Sequence, residues 1–288
     1  MIIDCHYHLN KTILPIEDLI RQMDKAGVEK IVLMASMCDQ LPPVKEYLLK
    51  MNRFLLTHSS LRWLGRKFTD NFTDGDFRIL GTAVKIEQDP DNKPVFEAIE
   101  SYPDKFLGWI FVNPKGKLNQ VEEFNKYKNN PHAIGVKAHP FWHRFAPIDL
   151  LPVAQQISSL DKPMLLHLGF NDHGNYDALL QAVPDLKLIL AHTAFPYYSK
   201  TWKVIKNNPN IFVDLSQTLY VDEKITKYVV KILGADRCLF GTDGPGSPGA
   251  QGAFDLGLIK RRIEKLFPEE NVRAKLLGEN LQNLTGIP

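Results

Sequence analysis

Cysteine is scarce: Cys5, Cys38 and Cys238 are the only three in 288 residues. They are too few and too scattered for a disulfide framework, so they read as reduced thiols and favour the cytoplasm. No apolar run approaches the roughly 18 residues that a spanning helix needs, so no stable membrane insertion is expected. The first residues already have the character of a core strand, so no signal peptide is expected. Charge of one sign is missing too. The 35 Lys and Arg against 33 Asp and Glu give a net +2, which offers no argument for nucleic acid as a partner. Neither a glycine-rich dinucleotide turn nor a Ser-centred nucleophile elbow occurs at convincing spacing. The run from Gly241 to Gly246 is rich in glycine, but Asp243 stands where a phosphate cradle wants a base or a hydroxyl. What remains is a composition ordinary for a soluble globular enzyme.

Short apolar runs alternate with amphipathic stretches along the whole chain. The candidate strands are Ile2–Leu9, Lys30–Ser36, Phe106–Asn113, Ala133–His139, Pro163–Gly169, Leu186–His192, Ile211–Ser216 and Cys238–Thr242. Most are nearly continuous hydrophobic runs, as expected of parallel strands buried on both faces. Between them, stretches such as Pro15–Ala26, Leu150–Ser159, Asp177–Ala182, Lys224–Leu233 and Asp255–Leu266 carry apolar residues at helical spacing. Eight strand–helix units in one chain of this length predict an α/β fold, a single-domain (β/α)8 TIM barrel over residues 1–288. A doubly wound open sheet is the alternative, weakened by the missing dinucleotide turn.

Residues 39–78 break the rhythm. Pro42-Pro43 is followed by a helical stretch from Val44 to about Lys67, in which Lys45, Lys50, Arg53, Arg62, Arg66 and Lys67 alternate with large apolar residues. A helical insertion after the second strand would emerge on the catalytic face of a barrel and could form a lid. A homodimer contact, a peripheral membrane helix and an extra helix with a solvated basic face are the competing readings.

The histidines are not scattered at random. His6 and His8 end the first strand and share one of its faces. His139, His167 and His192 end the fourth, fifth and sixth, and Asp243 follows the eighth. The strand ends of a barrel converge on one mouth, where catalytic residues sit. Three imidazoles and one carboxylate make a good divalent site, suited to zinc and also to iron or manganese.

With these residues the chain resembles the amidohydrolase superfamily, in its amidohydrolase-related branch (amidohydrolase 2) that includes the aminocarboxymuconate semialdehyde decarboxylase group. The resemblance is carried by IDCHYHL on the first strand, HLG on the fifth, AHT on the sixth, FGTD on the eighth and the ending LLGENLQNLTGI. It implies that His6, His8, His167 and Asp243 ligate one divalent ion rather than two. It implies that Asp243 doubles as a base and that His192 is a ligand or a catalytic acid/base. Lys137, within GVKAHP, matches a strand-four lysine that is carbamylated in binuclear members. Here Lys137 and His139, with Arg144, are expected on the substrate side, where they would bind an anionic compound. The insertion after the second strand departs from the pattern, and the group's substrate-carboxylate arginine has no evident counterpart.

A divalent ion activates water and polarises a substrate oxygen. Asp243 is placed to accept a proton and pass it on, and His192 to stabilise negative charge or shuttle a proton. The expected activity is metal-dependent hydrolysis of a small carboxylated amide, lactone or ester. The alternative is non-oxidative decarboxylation on the same site. A non-catalytic metal-binding barrel would need a broken ligand set.

Overall fold

The computed structural model describes residues 1–38, 41–42, 44–73, 76–79, 81–246 and 254–287. Eight parallel strands form one sheet in chain order: β1 Ile3–Leu9, β2 Lys30–Ala35, β3 Phe106–Phe111, β4 Ala133–Ala138, β5 Met164–Leu166, β6 Leu188–Leu190, β7 Ile211–Asp214 and β8 Cys238–Leu239. Every expected strand is present, each trimmed at its C-terminal end except β1. The residues beyond the trimmed ends turn away from the sheet into the loops that carry the candidate site.

The sheet curls into a nearly closed TIM barrel. Cys5 N–H donates to the Phe240 carbonyl (2.9 Å), Asp243 N–H to His6 (2.7 Å) and His8 N–H to Gly244 (2.9 Å), so the segment after β8 zips against β1. Buried Asp4 reinforces this seam by accepting from the backbone and hydroxyl of Thr242. Burial of every residue in β3 and β4 follows from their apolar runs, since helices cover the outer face. On β4, Gly135, Lys137 and His139 point the same way at period two. Gly135 leaves room for the Trp109 ring, which a Cβ would strike, and Trp109 Nε1–H donates to the Cys5 carbonyl across the barrel (2.8 Å). That plug sets the floor beneath Lys137 and His139.

The flanking helices stop where the sequence indicates. α1, Ile16–Ala26, ends at Gly27 in the left-handed region (φ 66°). Helices Lys93–Ser101 (α4 below) and Gln120–Tyr127 (α5) were not marked by the apolar spacing, though Asn119 caps the second by accepting from Val121 and Glu122 N–H.

After β2, the single long helix expected to about Lys67 is replaced by two, α2 (Glu46–Thr57) and α3 (Arg62–Thr69). The break falls at Ser59-Ser60, whose hydroxyls compete for backbone bonds and weaken a helix interior. A three-stranded antiparallel meander, Phe72–Thr73, Asp76–Ile79 and Thr82–Val84, follows and was not anticipated. Positions 39, 40, 43, 74 and 75 of the insertion lie outside the described residues. Arg53 and Arg66 reach segments of the barrel. Arg53 donates to the Thr218 and Leu219 carbonyls and pairs with Asp222 (3.2 Å). Arg66 donates to Asn171 and to Asp70. Among its large apolar side chains, Tyr47, Phe54, Trp63 and Phe68 are turned outward, each more than half exposed.

Candidate metal centre and active site

β1 delivers His6 and His8 to one face, and the loop after β8 brings Asp243 to meet them. Asp243 Oδ1 lies 3.1 Å from His6 Nε2 and 3.4 Å from His8 Nε2. The protein fixes which nitrogen each ring presents. His6 Nδ1–H donates to Asp214 Oδ2 (2.9 Å), and His8 Nδ1–H donates to the Ala35 carbonyl (3.0 Å). Both Nε2 atoms are therefore turned towards Asp243, with Lys137 Nζ also 3.3 Å from that of His6, the arrangement by which outer partners orient metal-binding imidazoles.

His167, at the end of β5, supplies the observation that tests a metal. Its Nε2 is buried with no hydrogen-bond partner among the described residues. Its ring packs 4.6 Å from that of His192 and 4.1 Å from that of His139. A buried polar nitrogen left unpaired costs about 1–3 kcal/mol, and a ligated ion removes that deficit. His6, His8 and Asp243 converge closely enough to share one ion. His6, His192 and Asp214 also cluster, but there the Nδ1 atoms of both rings are engaged in hydrogen bonds, so the first group with His167 is the better site.

Burial and neighbouring charges act differently on the four groups. Burial and Lys137 pull the His6 imidazole down, but Asp214 and Asp243 together outweigh them and raise it. Burial works against ionised Asp243, yet His6 and His192 hold its carboxyl well below the usual range. Desolvation lowers His8 and, more strongly, His167, whose neutral rings suit ligation.

His192 follows β6 in a left-handed conformation (φ 53°), as do Thr193 (54°) and Ala194 (61°). Its Nδ1 lies 2.8 Å from Ser216 Oγ. Ser216 gives its one proton to Asp214 Oδ1, so its oxygen accepts from His192 Nδ1–H. The His192 Nε2 lone pair then looks towards Asp243 Oδ2 at 4.0 Å. Burial brings His192 down to about 4 despite Asp243 and Asp214. Asp243 Oδ2 also accepts from Gln217 Nε2 (2.7 Å).

Asp214, Ser216 and Gln217 were absent from the sequence-derived set. Asp214 had a readable signal, an acid closing the apolar run Ile211–Ser216. Its task depends on β1 and β7 meeting across the barrel, which no local pattern records.

The remaining expected residues separate. Lys137 is fully buried, with Nζ 3.3 Å from His6 Nε2, and burial pushes it down to about 8. It stands beside the metal-facing nitrogen of His6 and does not line the cavity. His139 lines the cavity. Its Nδ1 accepts from Trp142 N–H (3.1 Å), which leaves the proton on Nε2. The structure does not bring Arg144 to the cavity. It pairs with Asp70 (2.6 Å) and stacks over Phe72 (4.4 Å), because the meander and α3 reach down to the loop after β4.

A family model described as amidohydrolase matches residues 3–280. Among curated proteins, the protein fluG of Emericella nidulans is 24% identical over 105 residues, 32% of this chain; the match spans 12% of that much longer protein. A dihydroxybenzoic acid decarboxylase from Polaromonas sp., solved with manganese and the inhibitor 2-nitroresorcinol, superposes with a TM-score of 0.61 at 16% identity, covering 99% of this chain and 96% of that one. A probable 2-pyrone-4,6-dicarboxylic acid hydrolase from Acinetobacter baumannii, with citric acid bound, gives 0.60 at 14% identity and 99% coverage of both chains. Identities this low establish a shared fold.

Proposed function

This chain belongs to the amidohydrolase family, and from that premise we propose that it is a metal-dependent hydrolase of a small carboxylated amide, lactone or ester. The observation that carries the reading is the convergence of His6 Nε2, His8 Nε2 and Asp243 Oδ1 beside the unpartnered Nε2 of His167. These four residues would hold one divalent ion; zinc, manganese and iron all suit such donors. When bound, the ion supplies Lewis acidity and an activated water.

The chain's own groups move the proton. His192 keeps its proton on Nδ1 and presents the Nε2 lone pair, so it accepts a proton at that atom. Asp243 Oδ2 lies within 4.0 Å of it and offers a second acceptor, held in orientation by Gln217. The proton gathered there is returned to the leaving group, as general acid–base catalysis requires. His139 offers its Nε2–H to a substrate oxygen. Lys137, with Nζ 3.3 Å from His6 Nε2, adds positive charge at the metal end.

A decarboxylase reading remains the alternative, supported by the manganese-containing decarboxylase among the structural neighbours. We assign the site to a soluble, cytoplasmic enzyme in which α2 and α3 act as a lid and their exposed aromatic face forms a homodimer contact.

Metal analysis of the purified protein and of His6→Ala and Asp243→Ala tests the site. Both variants should lose bound metal, and full retention in both would remove it. Incubation with carboxylated lactones, amides and aromatic acids then separates the reactions. Ring or amide opening without CO₂ supports hydrolysis, whereas CO₂ release moves the assignment to decarboxylation.

A further inference from the structure

One turn connects the candidate metal centre to the insertion. It follows β7 and runs from Gln217, which has a left-handed backbone (φ 66°), to Asp222. Its inner side serves the site. Gln217 Nε2 donates to Asp243 Oδ2 (2.7 Å), Gln217 N–H donates to the Thr242 carbonyl (3.4 Å), and Tyr220 lines the cavity. A carboxamide has a donor end and an acceptor end, and only the donor end suits a carboxylate. Leu219 N–H settles which end Asp243 meets, because it donates to Gln217 Oε1 (3.3 Å) and so turns the nitrogen towards Asp243.

The outer side of the turn is held by side chains at four consecutive carbonyls. Arg53 Nη1 donates to those of Thr218 (3.3 Å) and Leu219 (3.0 Å), the Tyr198 hydroxyl to that of Tyr220 (3.0 Å), and Arg262 Nη1 to that of Val221 (2.6 Å). Arg53 Nε also pairs with Asp222 Oδ2 (3.2 Å), and Asp222 caps the next helix by accepting from Ile225 N–H (2.8 Å). Arg53 thus spans the turn from residue 218 to 222 with one planar fork, which a lysine ammonium does not reproduce. Its side chain is only 13% exposed, so water competes little for these bonds. Tyr198 and Arg262 come from the barrel, whereas Arg53 comes from α2 of the insertion.

We propose that Arg53 is a positioning residue for Asp243, and that α2 thereby braces the metal centre from outside the barrel. This rests on the reading of Asp243 as a metal ligand. Arg53 lines no part of the cavity; it acts through Leu219, whose N–H orients the Gln217 carboxamide against Asp243 Oδ2.

The test measures cobalt affinity, by competition with a chromophoric chelator, in the parent, Arg53→Met, Gln217→Asn and the double variant. Asparagine tolerates the left-handed backbone but is one methylene shorter than glutamine. Gln217→Asn should weaken cobalt binding about tenfold or more, as loss of an outer partner does, and Arg53→Met about fivefold or more. The double variant should bind within about twofold of Gln217→Asn, since both changes break one chain of contacts. Losses that multiply, or parental affinity in Arg53→Met, overturn the proposal. Lys50→Met removes an exposed cation from the same helix, one paired with Glu46, and should keep parental affinity; an equal loss there would reduce the effect to charge alone and also overturn it. Arg53→Lys, which retains the charge but not the fork, should lose affinity as well and serves if Arg53→Met fails to fold. Amide exchange of the metal-free protein reads the brace without any ion. Arg53→Met should speed exchange in residues 216–222 and also in 241–246, with β3 as the unchanged reference. A rise confined to 216–222 counts against the proposal. If the parent binds no cobalt, the metal reading falls and the exchange result decides the brace by itself.

Discussion

Asp214→Asn should switch the metal centre off while leaving the barrel standing. Asp214 is fully buried and accepts from His6 Nδ1, His192 N–H, Ser216 N–H and Ser216 Oγ. An asparagine of the same shape can keep its oxygen on the three donors at Oδ1. Its amide nitrogen then replaces Oδ2 and points a donor at His6 Nδ1. Either two N–H groups face each other, at about 1–3 kcal/mol for buried unsatisfied donors, or the ring changes tautomer. In the second case Nδ1 accepts, Nε2 carries the proton, and the ligand atom opposite Asp243 is lost. Loss of an outer partner of this kind weakens metal affinity roughly 10- to 100-fold, or about 1.4–2.8 kcal/mol. The assay is competitive titration of manganese and zinc against a chromophoric chelator, with circular dichroism to confirm an intact fold. A folded Asp214→Asn protein with parental affinity for both ions would refute the tautomer argument.

Ser216→Ala removes the acceptor of His192 Nδ1–H but leaves the Asp214–His6 bond in place. Metal content should stay at the parental level while kcat falls about tenfold or more, a part of the roughly 10²–10⁴-fold that a positioned base contributes; parallel losses of metal and activity would point to plain misfolding. Gly241→Ala should lower stability, because the new Cβ would meet His6 Cβ at 3.0 Å, Ser216 Cβ at 3.2 Å and Cys5 Sγ at 3.3 Å. Overpacking of this kind costs about 1–3 kcal/mol, read as a Tm drop of roughly 3–10 °C. Burial raises the Asp4 carboxyl to about 7, against the bonds from Thr242 and His6 that lower it. A folded pKa raised above the unfolded one gives stability that is complete below about pH 4 and is lost as pH climbs through 7. Asp4→Asn should therefore gain on the parent as pH rises from 4 to 8, and parallel Tm curves over that range would contradict the assignment.

The order of the eight strands was legible in the sequence because buried parallel strands announce themselves as apolar runs bounded by turns. The histidines were legible for a related reason: their positions at strand ends become neighbours in any barrel, whatever the loops do. Arg144 was misplaced because its partner, Asp70, lies 74 residues away on an insertion whose path depends on tertiary packing. Periodicity could see helix in residues 44–67 but not the inward turn of Arg53 and Arg66, since alternating arginine and leucine suits either face. α4 and α5 were overlooked where short polar stretches blur the helical repeat. Asp214 marks the limit most clearly: a strand-end acid was visible, while its grip on a histidine 208 residues earlier was not.

The left-handed run of His192, Thr193 and Ala194 has an evolutionary consequence. Each side-chain-bearing residue in that conformation gives up about 1–2 kcal/mol, set against a total stability of only about 5–15 kcal/mol for a typical fold. Trp202 Nε1–H, bonded to the Thr193 carbonyl (2.7 Å), helps hold the turn in place. Glycine at 193 or 194 would relax the backbone and harden the protein against heat, yet it would also release the imidazole from its fixed bearing. Selection for durability and selection for turnover thus meet in one turn and pull it in opposite directions.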